Sequence, residues 1–169
     1  MRKPKTLKAM RRSIRQAHQF GRVSERSISP MNMEALKDQL VEHEALRLKP
    51  YKDSVGKLTI GVGRNLDDVG ITESEAMLLL DNDIKRVQAD LDNQLPWWRH
   101  MSKTRQLVIA DMAFNLGLPR LQGFKKALAA MSEGRYGDAA DEMLDSKWAS
   151  QVGPRALRLA QMMRTDVEA

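Results

Sequence analysis

The 169-residue sequence has no cysteine, and aromatic residues make up only 5% of it. Without cysteine, both a disulfide framework and a thiolate zinc site are excluded. The three histidines, His18, His43 and His100, have no ligand partner at metal-binding spacing, so we predict no metal and no cofactor. This composition fits a protein that folds in a reducing cytoplasm.

Long apolar runs are also missing. No segment approaches the ~20 consecutive apolar residues of a membrane span, or the shorter apolar core of a secretory signal. We therefore expect synthesis in the cytoplasm without a signal peptide. Ala, Leu, Met, Lys, Arg and Glu are abundant instead, which favours helices around one core.

The positive charge is concentrated at one end of the chain. Residues 1–30 contain nine Lys or Arg and one acidic residue, whereas residues 31–169 contain nineteen Lys or Arg and twenty-one Asp or Glu. The second segment therefore has the mixed surface of an ordinary globular domain. We predict a basic arm and linker over residues 1–30 and a folded domain over residues 31–169.

The arm has the pattern of a basic amphipathic helix followed by a polar, proline-terminated linker. Such helices lie on anionic membranes, but a solvated basic tail has the same composition. Both interpretations remain open. Nucleic-acid binding is not expected, because base-reading motifs and interleaved aromatic residues are missing. The apolar half of the predicted helix contains Leu7, Ala9, Met10, Ile14, Ala17 and Phe20.

The next segment, residues 33–48, is predicted to be a helix that ends at Lys49, because Pro50 disfavours helical geometry there. A step of 100° per residue places Glu44 within its apolar stripe. Partial desolvation on that face would raise the pKa of Glu44 towards the range of a general acid. The alternative is a surface acid near a helix end, and Lys37 shows that the stripe is not purely apolar. The apolar members are Met33, Leu36, Leu40, Val41 and Leu48.

A turn at Val55-Gly56 and the alternation after it predict a β-hairpin over residues 51–63. Thr59 lies on the face opposite to Leu58 and Ile60. Taken alone, Thr59 would be an ordinary strand residue.

Two carboxylates in this region lie on different, locally stiff elements. Glu44 is on the predicted helix, and Asp53 follows nine residues later in the turn. Hydrolysis of a glycosidic bond needs such a pair, one to protonate the leaving oxygen and the other to manage the developing positive charge or the attacking water. Taken alone, Asp53 is equally a turn cap.

The segment HEALRLKPYKDSVGKLTIGVGR, residues 43–64, resembles the catalytic signature of the T-even bacteriophage lysozyme family of glycoside hydrolases. The pattern is a Glu before Leu-Arg-Leu-Lys, then Tyr-Lys-Asp, then Thr-Ile-Gly-x-Gly. The separations between Glu44, Asp53 and Thr59 match it without a gap. The similarity covers about residues 33–165. Further matches are the capping box of Thr72 and Glu75, residues 110–117, Gly123-Phe124, Ser146-Lys147-Trp148 and Arg155.

The resemblance implies a lysozyme-like α+β fold, predominantly α. A small lobe with a short β-hairpin and a larger helical lobe around Thr104 to Leu116 would enclose a cleft. The implied activity is a muramidase that cuts the β-1,4 bond between N-acetylmuramic acid and N-acetylglucosamine in peptidoglycan. Glu44 would be the general acid, and Asp53 and Thr59 would position the attacking water, which makes the enzyme inverting.

Other positions carry implied roles outside this triad. Phe114 and Asn115 match residues that line the cleft, and Arg155 matches an arginine that reaches the catalytic glutamate. Trp97 and Trp98 are expected to pack between the lobes rather than against sugar. Trp148 is expected in the core.

Two departures from the family pattern concern the lobe behind the hairpin. Arg64 replaces the histidine that follows Thr-Ile-Gly-x-Gly, and the chain passes through NLDDVG directly to the capping box. We expect this shortened lobe to leave a more open cleft. The number of sugars bound stays open.

Together these features predict a monomeric phage endolysin or virion-associated lysozyme, made in the host cytoplasm and acting on peptidoglycan in the periplasm or from the virion. The arm would aid passage of the outer membrane by contact with anionic membrane or lipopolysaccharide. The alternatives are a lytic transglycosylase on the same bond, a non-catalytic glycan-binding module and a membrane-active protein.

Overall fold

The computed structural model describes residues 30–168, and residues 1–29 of the predicted arm lie outside them. The described chain divides after Val69 into two compact units, which we call the small unit (residues 30–69) and the helical unit (residues 70–168). Helices predominate, and one small antiparallel sheet accompanies them. The predicted α+β class with a dominant helical part is confirmed.

The small unit contains one helix and a three-stranded sheet. Helix α1 spans Met33–Glu44 and is capped by Asn32, whose side chain accepts a hydrogen bond from the Ala35 N–H. Strands β1 (Arg47–Lys52), β2 (Leu58–Gly61) and β3 (Arg64–Asn65) pair antiparallel in that order.

Helix α1 is shorter than predicted. It ends at Glu44, and Ala45 follows with a positive φ of 60°, so the chain leaves the helix before Pro50 can end it. An apolar stripe stabilises a helix when it is buried, and the Leu48 side chain is 81% exposed. Residues 47–52 gain strand pairing instead.

The predicted two-stranded hairpin is part of a three-stranded sheet. The turn at Val55-Gly56 is confirmed, since the Gly56 N–H donates to the carbonyl of Asp53. The register of β1 on β2 shifts between Arg47 and Tyr51. Pro50 lies in this irregular stretch, where its missing N–H costs no ladder hydrogen bond.

The helical unit begins with the predicted capping box. The Thr72 side chain accepts from the Glu75 N–H, and the Glu75 carboxylate accepts from the Thr72 N–H. The elements that follow are α2 (Glu73–Gln94), a 3-10 helix (Pro96–His100), α3 (Lys103–Leu116), α4 (Leu118–Leu121), α5 (Lys125–Ser132), α6 (Tyr136–Leu144), α7 (Lys147–Val152) and α8 (Pro154–Thr165).

The hydrophobic core of the helical unit surrounds α3, as the sequence predicted. Val108, Ile109 and Met112 of this helix have no exposed surface. The core continues onto α5, α6 and α8 through fully enclosed side chains such as Met143 and Met163. Methionine's flexible chain suits the irregular gaps between short helices.

Candidate active site

Glu44 is the last residue of α1, and its side chain is exposed. Of the two interpretations of Glu44, the structure supports the surface acid near a helix end, since no residue of α1 is buried. The carboxylate lies beside the turn between β2 and β3. A Cβ added at Gly63 would be 3.7 Å from Oε2 of Glu44, so this turn approaches the carboxylate closely.

Asp53 opens the turn between β1 and β2, and its carboxylate is fixed by that turn. Oδ1 accepts hydrogen bonds from the backbone N–H of Val55 at 3.0 Å and of Lys57 at 2.8 Å. The Asp53 N–H in turn donates to the carbonyl of Lys57 at 2.9 Å. With Oδ1 engaged twice, the orientation of Oδ2 is fixed as well.

Thr59 lies on β2 opposite Tyr51 and Asn65, and it is only 3% exposed. Its hydroxyl donates to the carbonyl of Lys57 at 3.2 Å. Because that proton is engaged with the backbone, the Thr59 oxygen is left with lone pairs that accept hydrogen bonds.

The structure therefore brings Asp53 and Thr59 together at one backbone group, the carbonyl of Lys57. Sequence reasoning predicted both residues but not the role of Lys57. The sequence signals only part of this closure, because Asp side chains typically accept from the backbone N–H two residues on, as Oδ1 of Asp53 does from Val55.

Two further predicted site residues lie at the end of α3. Phe114 is 45% exposed and lines a groove of about 380 Å³ with Ile84 and Leu107. Asn115 is exposed too, but its side-chain oxygen accepts a hydrogen bond from the Trp148 indole at 2.9 Å. Asn115 thus helps to hold Trp148 in the core, and contact with sugar stays a prediction for both residues.

Arg155 is fixed by Asp111 within the helical unit. Its Nε donates to Oδ1 of Asp111 at 2.9 Å, and its terminal nitrogen lies 2.8 Å from the same oxygen. Asp111 is a partner that the sequence did not reveal, because α8 and α3 are far apart along the chain. The predicted approach of Arg155 to Glu44 stays a prediction.

The tryptophans have structural positions in the helical unit. Trp98 is 2% exposed, Trp148 is 4% exposed, and Trp97 packs against the same core. The predicted core position of Trp148 is confirmed. The sequence predicted that Trp97 and Trp98 pack between the lobes, whereas in the structure both pack in the core of the helical unit.

Trp98 also takes part in a surface cluster at the end of α2. Its indole donates to Asp92 at 2.8 Å, and the Arg99 side chain donates to both oxygens of the same carboxylate. The hydrogen bonds from Arg99, and secondly from Trp98, lower the pKa of Asp92 below its ordinary value.

Within residues 30–168, no group of three His, Asp or Glu side chains is placed to hold a metal ion. In the same range no helix combines the length and apolar character needed to cross a bilayer.

Comparison with known proteins supplies the family. The phage lysozyme family matches residues 41–164, a stretch that includes Glu44, Asp53 and Thr59. The SAR-endolysin of Escherichia phage Mu is 30% identical over 142 residues, which cover 80% of this chain and 77% of that protein. The chain belongs to the phage lysozyme family.

Two further relatives have lower identities to this chain. A T4-type lysozyme of Dictyostelium discoideum is 25% identical over 160 residues, covering 78% of this chain and 94% of its own length. The pre-baseplate central spike protein of Enterobacteria phage T4 is 28% identical over 159 residues, again 78% of this chain, but only 28% of the spike protein is covered.

Membership of the phage lysozyme family makes this chain a glycosidase of the muramidase type, with peptidoglycan as its substrate. The family match runs from residue 41 in the small unit to residue 164 in the helical unit.

Proposed function

We propose that the chain hydrolyses the β-1,4 bond between N-acetylmuramic acid and N-acetylglucosamine, with Glu44 as general acid and Asp53 and Thr59 holding the attacking water. The observation that carries this proposal is the shared attachment of Asp53 and Thr59 to the carbonyl of Lys57. The Asp53 N–H and the Thr59 hydroxyl share this carbonyl, and the Asp53 carboxylate accepts from the Lys57 N–H. Both side chains are thus fixed to the backbone of one residue and keep a constant relation to each other, which positioning of a single water molecule requires.

The position of Glu44 suits a general acid. It stands at the carbonyl end of α1, where the helix dipole disfavours negative charge, so helix stability does not explain a glutamate there. Its side chain is exposed and thus accessible to a glycosidic oxygen. Gly63 keeps the facing turn free of a side chain.

The hydrogen bonds of Asp53 and Thr59 support one arrangement of the attacking water. Thr59 donates its proton to Lys57, so its oxygen accepts one hydrogen of the water. Oδ2 of Asp53 accepts the other, since Oδ1 is engaged by the turn. The lone pair of the water then faces the anomeric carbon, and attack from this side inverts the configuration.

A lytic transglycosylase would need the acid but not a fixed water. The presence of both Asp53 and Thr59 on one backbone group therefore favours hydrolysis. The same pair argues against a non-catalytic glycan-binding module, which has no use for a positioned water.

We place this activity in a monomeric endolysin or a virion-associated lysozyme, made in the host cytoplasm and acting on the cell wall from the periplasm or the virion. Relatives of both kinds support this setting, namely the endolysin of phage Mu and the spike protein of phage T4.

Glu44 is tested with Glu44→Gln against a matched control, Glu42→Gln, which replaces an exposed glutamate of the same helix. We expect Glu44→Gln to clear purified peptidoglycan about 10²- to 10⁴-fold more slowly, the range of general acid catalysis, while the control keeps its rate. Clearing by Glu44→Gln at the parental rate would contradict the assignment. Mass spectra of the products should show water added at a reducing end; an anhydro sugar would indicate a transglycosylase.

The basic arm is proposed to aid passage through the outer membrane by binding anionic lipid or lipopolysaccharide. Its charge and amphipathic sequence support this role. Deletion of residues 1–30 should leave the rate on purified peptidoglycan unchanged and reduce lysis of intact Gram-negative cells. Equal loss on both substrates would refute a role confined to membrane passage.

A further inference from the structure

The peptide group between Lys57 and Leu58 is hydrogen-bonded at both ends. Its carbonyl accepts from the Asp53 N–H at 2.9 Å and from the Thr59 hydroxyl at 3.2 Å. Its N–H donates to Oδ2 of Asp67 at 2.8 Å. One rigid, planar group thus joins Asp67 to both residues that hold the water in the proposed function.

Asp67 lies in the short loop after β3, which replaces the longer lobe of the family pattern. This loop is hydrogen-bonded to both backbone groups of Leu58 in β2. Besides the Leu58 N–H that binds Asp67, the Leu58 carbonyl accepts from the Leu66 N–H at 2.7 Å. Asn65, the register partner of Thr59, closes the loop through hydrogen bonds with Asp68 in both directions.

Asp68 attaches the loop to the same segment by a second route. Its Oδ1 lies 2.9 Å from Nζ of Lys57, and both side chains are about half exposed. An exposed ion pair of this kind contributes little to stability. Asp67 is the more important of the two, since its charge meets a backbone N–H directly.

We propose that Asp67 is a positioning residue for the hydrolytic water, acting through the Lys57–Leu58 peptide on Thr59 and Asp53. This inference rests on the proposed function of those two residues. The carboxylate of Asp67 polarises the peptide, and a polarised peptide has a stronger carbonyl acceptor at its other end. The Thr59 proton is thereby kept on the carbonyl, so the Thr59 oxygen stays an acceptor for water.

Strand pairing and packing of the sheet do not by themselves fix the position of the Lys57–Leu58 peptide. β3 is only two residues long, and no apolar side chain of the small unit is buried among the described residues. The position of the Lys57–Leu58 peptide therefore depends on its hydrogen bonds. The short loop with Asp67 and Asp68 therefore supports this peptide in place of a longer lobe.

The first test compares Asp67→Ala and Asp67→Asn with the control Asp38→Ala, which removes an exposed acid of the same unit. The turnover number kcat and KM are measured by release of reducing ends from soluble, uncross-linked peptidoglycan strands. Asp67→Ala should lower kcat about 10- to 100-fold with KM unchanged, since small misplacements of reacting groups have effects of this size. Asp67→Asn keeps an acceptor oxygen but loses the charge, so it should have a kcat between those of Asp67→Ala and the parent.

A purely structural role is separated by a double-mutant cycle. In a Thr59→Val background the hydroxyl is gone, so Asp67→Ala should cause a clearly smaller further loss of kcat than it does alone. Thermal unfolding of each variant is recorded alongside. A full, additive loss in the Thr59→Val background, or a kcat for Asp67→Ala equal to that of the parent, would overturn the proposal.

Failure of the proposed role of Asp67 can be distinguished from failure of the proposed function. If Glu44→Gln and Asp53→Asn retain the parental rate, the catalytic assignment itself fails. If they are inactive while Asp67→Ala is fully active, only the role of Asp67 is refuted.

Discussion

The two units of this lysozyme are stabilised by different interactions. Every buried apolar side chain of the described residues lies in the helical unit, between Leu91 and Met163. The one buried residue of the small unit is polar, Thr59. Burial of apolar surface therefore stabilises the helical unit, whereas hydrogen bonds and turn geometry fix the local structure of the small unit.

This difference matters because the proposed catalytic residues belong to the small unit. A hydrophobic core tolerates changes that conserve volume, but a polar network depends on each donor and acceptor. The geometry of Asp53 and Thr59 should thus be sensitive to single hydrogen-bond changes that leave the helical unit intact.

The largest expected effect is a loss of activity in Asp53→Asn without a loss of stability. Asp53→Asn keeps an oxygen for the two turn hydrogen bonds but removes the charge that holds the water. We expect the rate on peptidoglycan to fall by about 10²- to 10⁴-fold, with little change in the urea midpoint of unfolding. A parallel loss of stability would show that Asp53 is mainly a turn residue.

In the helical unit we expect a substitution to lower stability and leave activity unchanged. Met112→Ala creates a cavity beside α3, where Met112 has no exposed surface, and should lower the free energy of unfolding by about 2–5 kcal/mol. The rate per folded molecule at low temperature should stay near that of the parent. Urea unfolding and kcat at ~15 °C measure the two quantities, and a strong loss of kcat in folded protein would contradict the division between the units.

Parts of the fold were predictable from local sequence signals. The capping box of Thr72 and Glu75 needs only a four-residue pattern, and the turn at Val55-Gly56 needs only its glycine. Both features appear as predicted. The register of Glu44, Asp53 and Thr59 identified the family before any geometry was known.

Features that depend on tertiary contacts were not predictable. The apolar stripe of residues 33–48 predicted a longer helix and left open whether Glu44 is desolvated, because periodicity cannot tell whether a stripe is buried. The pairing of Arg155 with Asp111 joins positions 44 residues apart. The hydrogen bond of Asp67 is invisible in the sequence because its partner is a backbone N–H.

A smaller effect tests the turn that faces Glu44. Gly63 and Gly134 have nearly the same positive φ, 72° and 74°, so replacing either by Ala should cost about 1–3 kcal/mol of strain. Only Gly63→Ala places a Cβ 3.7 Å from the Glu44 carboxylate. We expect it to reduce kcat while Gly134→Ala does not. Equal kcat for the two variants would show that the turn does not influence Glu44.

The smallest effect concerns the surface cluster of the helical unit. Asp92 has a lowered pKa in the folded state, so it stabilises the fold above its ordinary pKa of 3.8 and loses this contribution as pH falls further. Asp92→Asn should therefore be slightly less stable than the parent at pH 7, and the difference should shrink at pH 3. Urea unfolding at both pH values measures it, with Asp90→Asn as the exposed control. A difference that grows at pH 3 would reverse the assigned sign.

The most direct measurement of the central claim is the anomeric configuration of the first product, recorded by NMR immediately after cleavage of soluble peptidoglycan strands. If Asp53 and Thr59 hold the attacking water, the new reducing end is the α-anomer, which later mutarotates. Initial release of the β-anomer would indicate a covalent intermediate on Asp53 and would contradict this account.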